Sequence, residues 1–325
     1  MTRMIHPGNR LPASADPARA MLKGMETCPD ELDASRGGGR PPRVGIVGAG
    51  KVGTALALAI DRAGWPVVAA ASRDSGRRAR FVSLVPGARM VSDPAALVDL
   101  VDVLLLTVPD DAIQTVAAGL RLRPGQAIVH TSGALPARIL APAQVRGTTA
   151  ASFHPLVPFA DTLRAVESLS GATIAIEGDT ALVARLAQLA TAMGARSVTV
   201  SAEGKAAYHA AAVLAAGGFV ALLDVIAELG RAAGLDEGAS LQTYAPLIRS
   251  ALGNAEALGI AAALTGPFVR GDIRTVRLHL DAIDGAVPAV RPLYVAAAER
   301  QIELALAHGE LDAERAAELR DVLHR

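Results

Sequence analysis

Six consecutive residues, Gly48-Ala49-Gly50-Lys51-Val52-Gly53, form a GxGxxG pattern. Each glycine suits a separate task. Gly48 permits a tight turn, Gly50 lets backbone N–H groups close on an anion, and Gly53 lets the following helix pack tightly on the preceding strand. The pattern alone is common, so its surroundings decide. A β-branched run, Arg43–Val47, leads into it, and an apolar-periodic stretch, Lys51–Ala63, leads out. A strand–turn–helix of this kind offers unpaired N–H groups and the positive end of a helix dipole to a diphosphate. A second signal lies one strand further on. Sites for NAD commonly place an acid about 20 residues beyond the turn, on the ribose 2′-hydroxyl. That spacing from Gly53 reaches Arg73, preceded by Ser72 and followed by Asp74. A hydroxyl and a guanidinium suit a 2′-phosphate and do not replace a carboxylate. The expectation is therefore NADP(H) over NAD(H), held by Gly48–Gly53, Ser72 and Arg73. A methyltransferase with a sulfonium donor also uses such a turn, but Ser72-Arg73 disfavours it, since an acid is expected there to hold the ribose.

Groups able to exchange protons recur at the ends of later strands. One strand delivers Thr107-Val108-Pro109-Asp110, with Val108 and Pro109 placed to form an apolar wall beside a nicotinamide. The next delivers His130-Thr131-Ser132-Gly133, and the one after it Phe153-His154-Pro155-Leu156. In open α/β sheets, ligands lie beyond the carboxyl ends of the strands, which puts Ser132 and His154 on the cofactor side. Each also has a plain structural reading, the hydroxyl as a helix cap and the imidazole as a partner for nearby backbone. His130 lies further inside its strand and is expected to do structural work. A later helix opens with Lys205-Ala206-Ala207-Tyr208-His209, so that Lys205 and His209 share one face. They read either as proton donors in a cleft or as a solvated first turn.

The elements that must position these groups alternate. Strands are expected at Arg43–Val47, Pro66–Ala71, Ala88–Val91, Asp102–Val108, Gln126–Thr131 and Thr148–Phe153, with helices at Lys51–Ala63, Ser75–Leu84, Pro94–Val101 and Asp111–Leu120. A further unit follows, with strand Ala172–Ile176, helix Thr180–Met193 and strand Ser197–Val200. This is the pattern of parallel βαβ units with helices on both faces. After residue 201 only helical patterns remain. The organisation expected is a tail at 1–40, a doubly wound Rossmann domain of α/β class at 41–200, and an all-α C-terminal domain at 201–325. The apolar run Ala210–Leu223 is bounded by His209 and Asp224 and too short to span a bilayer, and reads as a buried core helix.

Bulk composition narrows the function. The chain has 325 residues, and its 32 basic and 32 acidic residues cancel. A balanced charge gives no reason to expect a nucleic acid or an anionic membrane as partner. The single cysteine, Cys28, excludes an intrachain disulfide framework, and Met1–Arg40 lacks the apolar stretch of a signal peptide. Both features lead to the expectation of a cytoplasmic protein. No clustered His, Cys and carboxylate spacing points to a metal. The alanine-rich apolar C-terminal helices suggest a homodimer.

Several segments together resemble a known family. The glycine turn, TVPDDAI, HTSGAL, SFHPLVPF, KAAYHAAAVLAAGGFVALLDV and LTGPFVRGD are similar to Rossmann-like proteins whose C-terminal part is the domain of unknown function 2520. The likeness covers roughly residues 42–305. That family resembles the wider 6-phosphogluconate dehydrogenase-like group, with ketopantoate reductase, pyrroline-5-carboxylate reductase, prephenate dehydrogenase and 3-hydroxyacid dehydrogenases. The resemblance implies an NADPH-dependent reductase of a small metabolite, with a 2-oxo acid of the ketopantoate type favoured and a cyclic imine second. It implies that Lys205 matches the lysine opening the long helix of the hydroxyacid and ketopantoate enzymes, which there acts as general acid or polarises the carbonyl, and that His209 stands where those enzymes place an asparagine. It likens His154 to the histidine of the prephenate dehydrogenase HP segment. Gly217 departs from the family, where an asparagine is expected. That departure keeps open the alternative of a non-catalytic NADPH-binding sensor. In LTGPFVRGD, Asp272 reads as a helix cap, while Arg270 reads either as a carboxylate ligand or as its ion-pair partner.

Overall fold

A computed structural model describes residues 40–325. The expected tail, Arg40 apart, lies outside them. Eight strands build one sheet: β1 Val44–Val47, β2 Val67–Ala71, β3 Arg89–Val91, β4 Val103–Leu106, β5 Ala127–His130, β6 Thr149–Pro155, β7 Thr173–Gly178 and β8 Arg196–Thr199. Their spatial order is β3-β2-β1-β4-β5-β6-β7-β8, with the reversal between β1 and β4. That reversal is the switch point at which such sheets bind ligands.

The central strands β1, β4 and β5 are buried along their whole length because both faces are covered. On β4, Val103 and Leu105 join the core that contains Leu56 and Ile60, while Leu104 and Leu106 join the one that contains Ile113 and Ile128. A run without alternation is what two-sided burial requires. The covering helices are α1 Lys51–Arg62, α2 Ser75–Leu84, α3 Asp110–Ala118, α4 Thr162–Leu169 and α5 Thr180–Ala192.

Several expectations of the sheet region need correction. The helix expected over Pro94–Val101 is only a 3-10 turn, Pro94–Leu97. Asp93 caps it and Pro94 starts it, but the segment is a crossover with too few residues for a full helix. Two elements are additional: α4, capped by Asp161 through bonds from Leu163 and Arg164 N–H, and a 3-10 segment at Ala137–Ala143. Finally, β7 runs antiparallel to β6, with His154 opposite Ala175 and Ser152 opposite Glu177. The other neighbours are parallel. The link from β6 through α4 returns the chain along the sheet without a full crossover.

Beyond β8 the chain is helical: α6 Lys205–Val213, a π-helical turn Leu214–Gly218, α7 Phe219–Ala232, α8 Glu237–Leu258, α9 Ile273–Ala286, α10 Arg291–Ala307 and α11 Ala313–Leu323. The last three share a core of Phe268, Val276, Leu280, Ile302 and Leu319 among others. Asp272 caps α9, accepting from the N–H and hydroxyl of Thr275, which is the structural role expected of it. The long helical stretch contradicts its reading as buried core. Leu214 is 71% exposed and Val220 63% exposed, and nothing in Leu214–Gly218 is buried. Its apolar composition faces outward together with Leu247 and Leu252 of α8.

Candidate active site

The glycine turn connects β1 to α1 at the switch point. Gly48 has φ +110°, a region reserved for glycine, and a Cβ there would stand 2.8 Å from the Thr107 carbonyl oxygen. A Cβ on Gly53 would strike the Gly48 carbonyl and come 2.5 Å from Thr107 Oγ1. Thr107 locks the turn, its hydroxyl donating to the Gly48 carbonyl at 2.7 Å. Gly50 differs: nothing lies within 4 Å of its would-be side chain, and as the N-cap of α1 it supplies no side-chain hydrogen bond to the helix. The first N–H groups of α1 are therefore left to a ligand, and Gly50 leaves the approach open. Lys51 lines the second cleft and donates to the Ala160 carbonyl at 2.6 Å. The turn has the form of a diphosphate cradle.

Two clefts meet at this turn, and Ala49, Gly50, Arg77, Thr107, Val108 and Pro109 line both. The first has a volume of 780 Å³ and runs over the ends of β1 and β2 to Ser72, Arg73, Asp74 and Arg77. The Asp74 carboxylate, which lines this cleft together with Asp93 and Asp111, caps α2 by accepting from Arg77 N–H at 2.8 Å. That bond holds its pKa below the ordinary carboxylate value. Arg78 braces the loop, donating to the carbonyls of Ser72 and Arg73 at 2.7 and 2.9 Å. Arg73 supplies positive charge to this cleft, and Arg77, whose guanidinium lies 3.8 Å from the Asp74 carboxylate, lines both clefts. Arg77 carried no signal in the sequence, because it belongs to α2 and reaches the cleft only through the turn of that helix.

The second cleft has a volume of 730 Å³ and is bounded by Asp110, Thr131, His154 and Phe159. Val108 and Pro109, which follow β4, line its boundary with the first. His154 sits near the end of β6 with Nδ1 2.9 Å from the Tyr208 hydroxyl. Its ring lies 5.5 Å from that of His209, edge to face. Burial first, then the nearby His209 and Lys205, pushes the His154 pKa down to about 4. Burial pushes Tyr208 up to about 12.

Ser132 is buried and donates to Asp110 Oδ2 at 2.6 Å, while accepting from the N–H groups of Ala134 and Leu135. It fixes the turn after β5, and Asp110 is brought to it from the first turn of α3. His130 is fully buried and accepts the Ser132 N–H at Nδ1, as a structural residue does, with its pKa lowered to about 4 chiefly by burial. Lys205 is 1% exposed and lines neither cleft. Its ammonium donates to the Ser132 carbonyl at 3.2 Å and to Ser152 Oγ at 2.8 Å. Burial lowers its pKa, and Glu177 and Asp110 oppose that shift. His209 Nδ1 is buried with no hydrogen-bond partner. Of the four acid–base candidates in the sequence, His154 alone borders the open cleft. Ser132, Lys205 and His209 stand behind it. Tyr208, Asp110, Glu177 and Gly133 complete the cluster. Their partners come from other elements, so spacing along the chain could not mark them. Among the described residues, no group of three or more His, Cys, Asp or Glu side chains is placed to hold a metal.

Comparison with known proteins agrees with this architecture. Residues 28–155 match the Rossmann-like domain, and residues 172–301 match the domain of unknown function 2520, which here begins at β7 within the sheet. No curated protein matches the sequence. Among solved structures, a Bacteroides fragilis protein described as an NADP oxidoreductase superposes with TM-score 0.66 at 23% identity, over 81% of this chain and 99% of its own. Protein TM1727 of Thermotoga maritima gives TM-score 0.61 at 26% identity, over 82% and 99% of the two chains. The pyrroline-5-carboxylate reductase of Streptococcus pyogenes gives 0.58 at 17% identity, over 82% and 99%. At these identities the likeness establishes a shared fold.

Proposed function

We propose that this chain, which joins a Rossmann-like domain to the domain of unknown function 2520, is an NADPH-dependent reductase of a C=O or C=N bond in a small metabolite. The observation that carries the reading is the pair of clefts meeting at one glycine turn, with Ser72 and Arg73 at the far end of the first, Arg77 lining both, and an acid–base cluster around His154 at the second. The turn and the α1 N-terminus hold the diphosphate through Gly48–Gly53. Ser72 and Arg73, joined by Arg77, take the 2′-phosphate, since Asp74 is committed to its helix cap. Val108 and Pro109 flank the nicotinamide, which when bound supplies a hydride.

The chain's own part is positioning and proton supply. His154 faces the acceptor heteroatom. Lys205 works from behind, fixing the Ser132 carbonyl and the Ser152 hydroxyl and setting a positive charge beneath the turn on which both imidazoles rest. Ser132 holds Asp110 in place, and His209 packs against His154. A 2-oxo acid of the ketopantoate type remains the first substrate class and a cyclic imine the second. The streptococcal reductase acts on a compound of the second kind. The outward apolar faces of α7 and α8 support a homodimer. By length and composition Lys205–Ala232 could also cross a bilayer. Yet Lys205 itself is tied into the site, which anchors this end of the helix to the sheet and favours a second copy as the cover.

Following oxidation of NADPH against a panel of 2-oxo acids and cyclic imines tests the reading. Acceptor-dependent oxidation by at least one member is expected. Tight NADPH binding with no acceptor-dependent oxidation across either class would instead favour the sensor.

A further inference from the structure

Hydride addition to a carbonyl carbon leaves an electron pair on oxygen that must gain a proton. Resting on the reductase reading above, we propose that Tyr208 is the source of that proton and that His154 relays it across the ring. His154 borders the cleft, whereas Tyr208 is set back in the first turn of α6, 2.9 Å behind His154 Nδ1. The two rings meet edge to face, 5.6 Å apart at 89°.

The direction of the hydrogen bond follows from acid–base matching. A phenol is a stronger acid than a neutral imidazole, and an imidazole nitrogen is a stronger base than a phenol oxygen, so the hydroxyl donates to Nδ1. The neutral ring then carries its single proton on Nε2, the nitrogen left for the cleft. The surroundings keep the ring neutral. Burial, His209 and Lys205 disfavour the cation, and Asp110 alone opposes them. A neutral imidazole is too weak an acid to give up its proton alone. It can do so only while the other nitrogen gains one.

The step balances on this basis. The Nε2–H bond breaks as the heteroatom–H bond forms, and the Tyr208 O–H bond breaks as Nδ1–H forms. The two reducing electrons arrive with the hydride from NADPH. The products are the protonated acceptor, a tyrosinate and the other histidine tautomer, and one proton from water restores the starting state. Even raised by burial to about 12, the phenol stays more acidic than the alcohol formed, so the transfer runs downhill.

Gly133 is the seat of the relay. A Cβ there would collide with His209 Nδ1 and stand 2.8 Å from both Cε1 and Nε2 of His154. Only glycine lets both imidazoles close over the turn that Lys205 holds from behind.

Nitrogen-15 NMR of histidine-labelled protein, free and with NADP⁺, reads the tautomer directly. His154 is expected to be unprotonated at Nδ1 and protonated at Nε2, and Tyr208→Phe is expected to abolish that preference. A wild-type ring protonated at Nδ1 overturns the relay. With NADPH and ketopantoate as the probe acceptor, Tyr208→Phe is expected to lose about 100-fold in kcat at unchanged KM for NADPH, and the wild-type kcat to stay level from about pH 6 to about pH 9. A rate falling tenfold per pH unit over that range would make the His154 imidazolium the donor and overturn the relay. Wild-type turnover with Tyr208→Phe at full rate sinks the relay alone, whereas wild-type protein that reduces neither 2-oxo acids nor cyclic imines sinks the reductase reading as well.

Discussion

At the scale of single residues, the site depends on charge held out of water. Lys205 is a buried ammonium whose direct partners are a carbonyl and a hydroxyl, with Glu177 and Asp110 supplying compensating negative charge at longer range. Two histidines near it, His130 and His154, are both pushed from 6.5 down to about 4. Above pH 6.5 they are neutral folded or unfolded and add no pH dependence. Between 6.5 and about 4 the unfolded chain binds protons that the folded chain refuses. Stability is thus present above the unfolded value and lost as pH falls towards the folded one. Urea unfolding is expected to show a midpoint that drops steadily across this window, with a shallower drop in His130→Gln. A midpoint independent of pH there would show that neither histidine is held neutral.

At the scale of elements, sequence and structure agree where a pattern is local. The glycine turn, β4 as an uninterrupted apolar run, and the Asp272 cap of α9 are set by residues close in the chain, and all were legible. The acid–base cluster was legible only in part. His154 and Ser132 could be placed at strand ends, but Tyr208 and Asp110 gain meaning only when β5, β6, α3 and α6 converge. The failure over α6 and α7 is instructive in another way. Periodicity reports that a helix is apolar and cannot report what covers it, so an interface helix and a core helix look alike. The π-helical turn, α7 and α8 expose Leu214, Val220, Leu247 and Leu252 to solvent, large apolar side chains of the kind that mark association when they gather in a patch. Sedimentation is expected to give a dimer of the 33.2 kDa chain, and Leu214→Glu with Val220→Glu to give monomer with the sheet intact by circular dichroism. A wild-type monomer would overturn the homodimer, and partition of the wild-type chain into vesicles would assign the face to a membrane.

At the scale of the whole molecule, two clefts share one wall. The sheet fixes the glycine turn and the strand ends, the loop after β2 brings Arg73 to the first cleft and α2 brings Arg77 to both, and α6 brings Tyr208 and the buried lysine behind the second. That division of labour is the central claim, and cofactor choice is its sharpest consequence. The measurement is titration calorimetry of NADPH and NADH into the wild-type chain and into Arg73→Ala. NADPH is expected to bind at least about tenfold tighter than NADH, a difference of about 1.4 kcal/mol, with most of that preference lost in the variant. Equal affinity for the two coenzymes in the wild type, or no heat from either, would contradict the account.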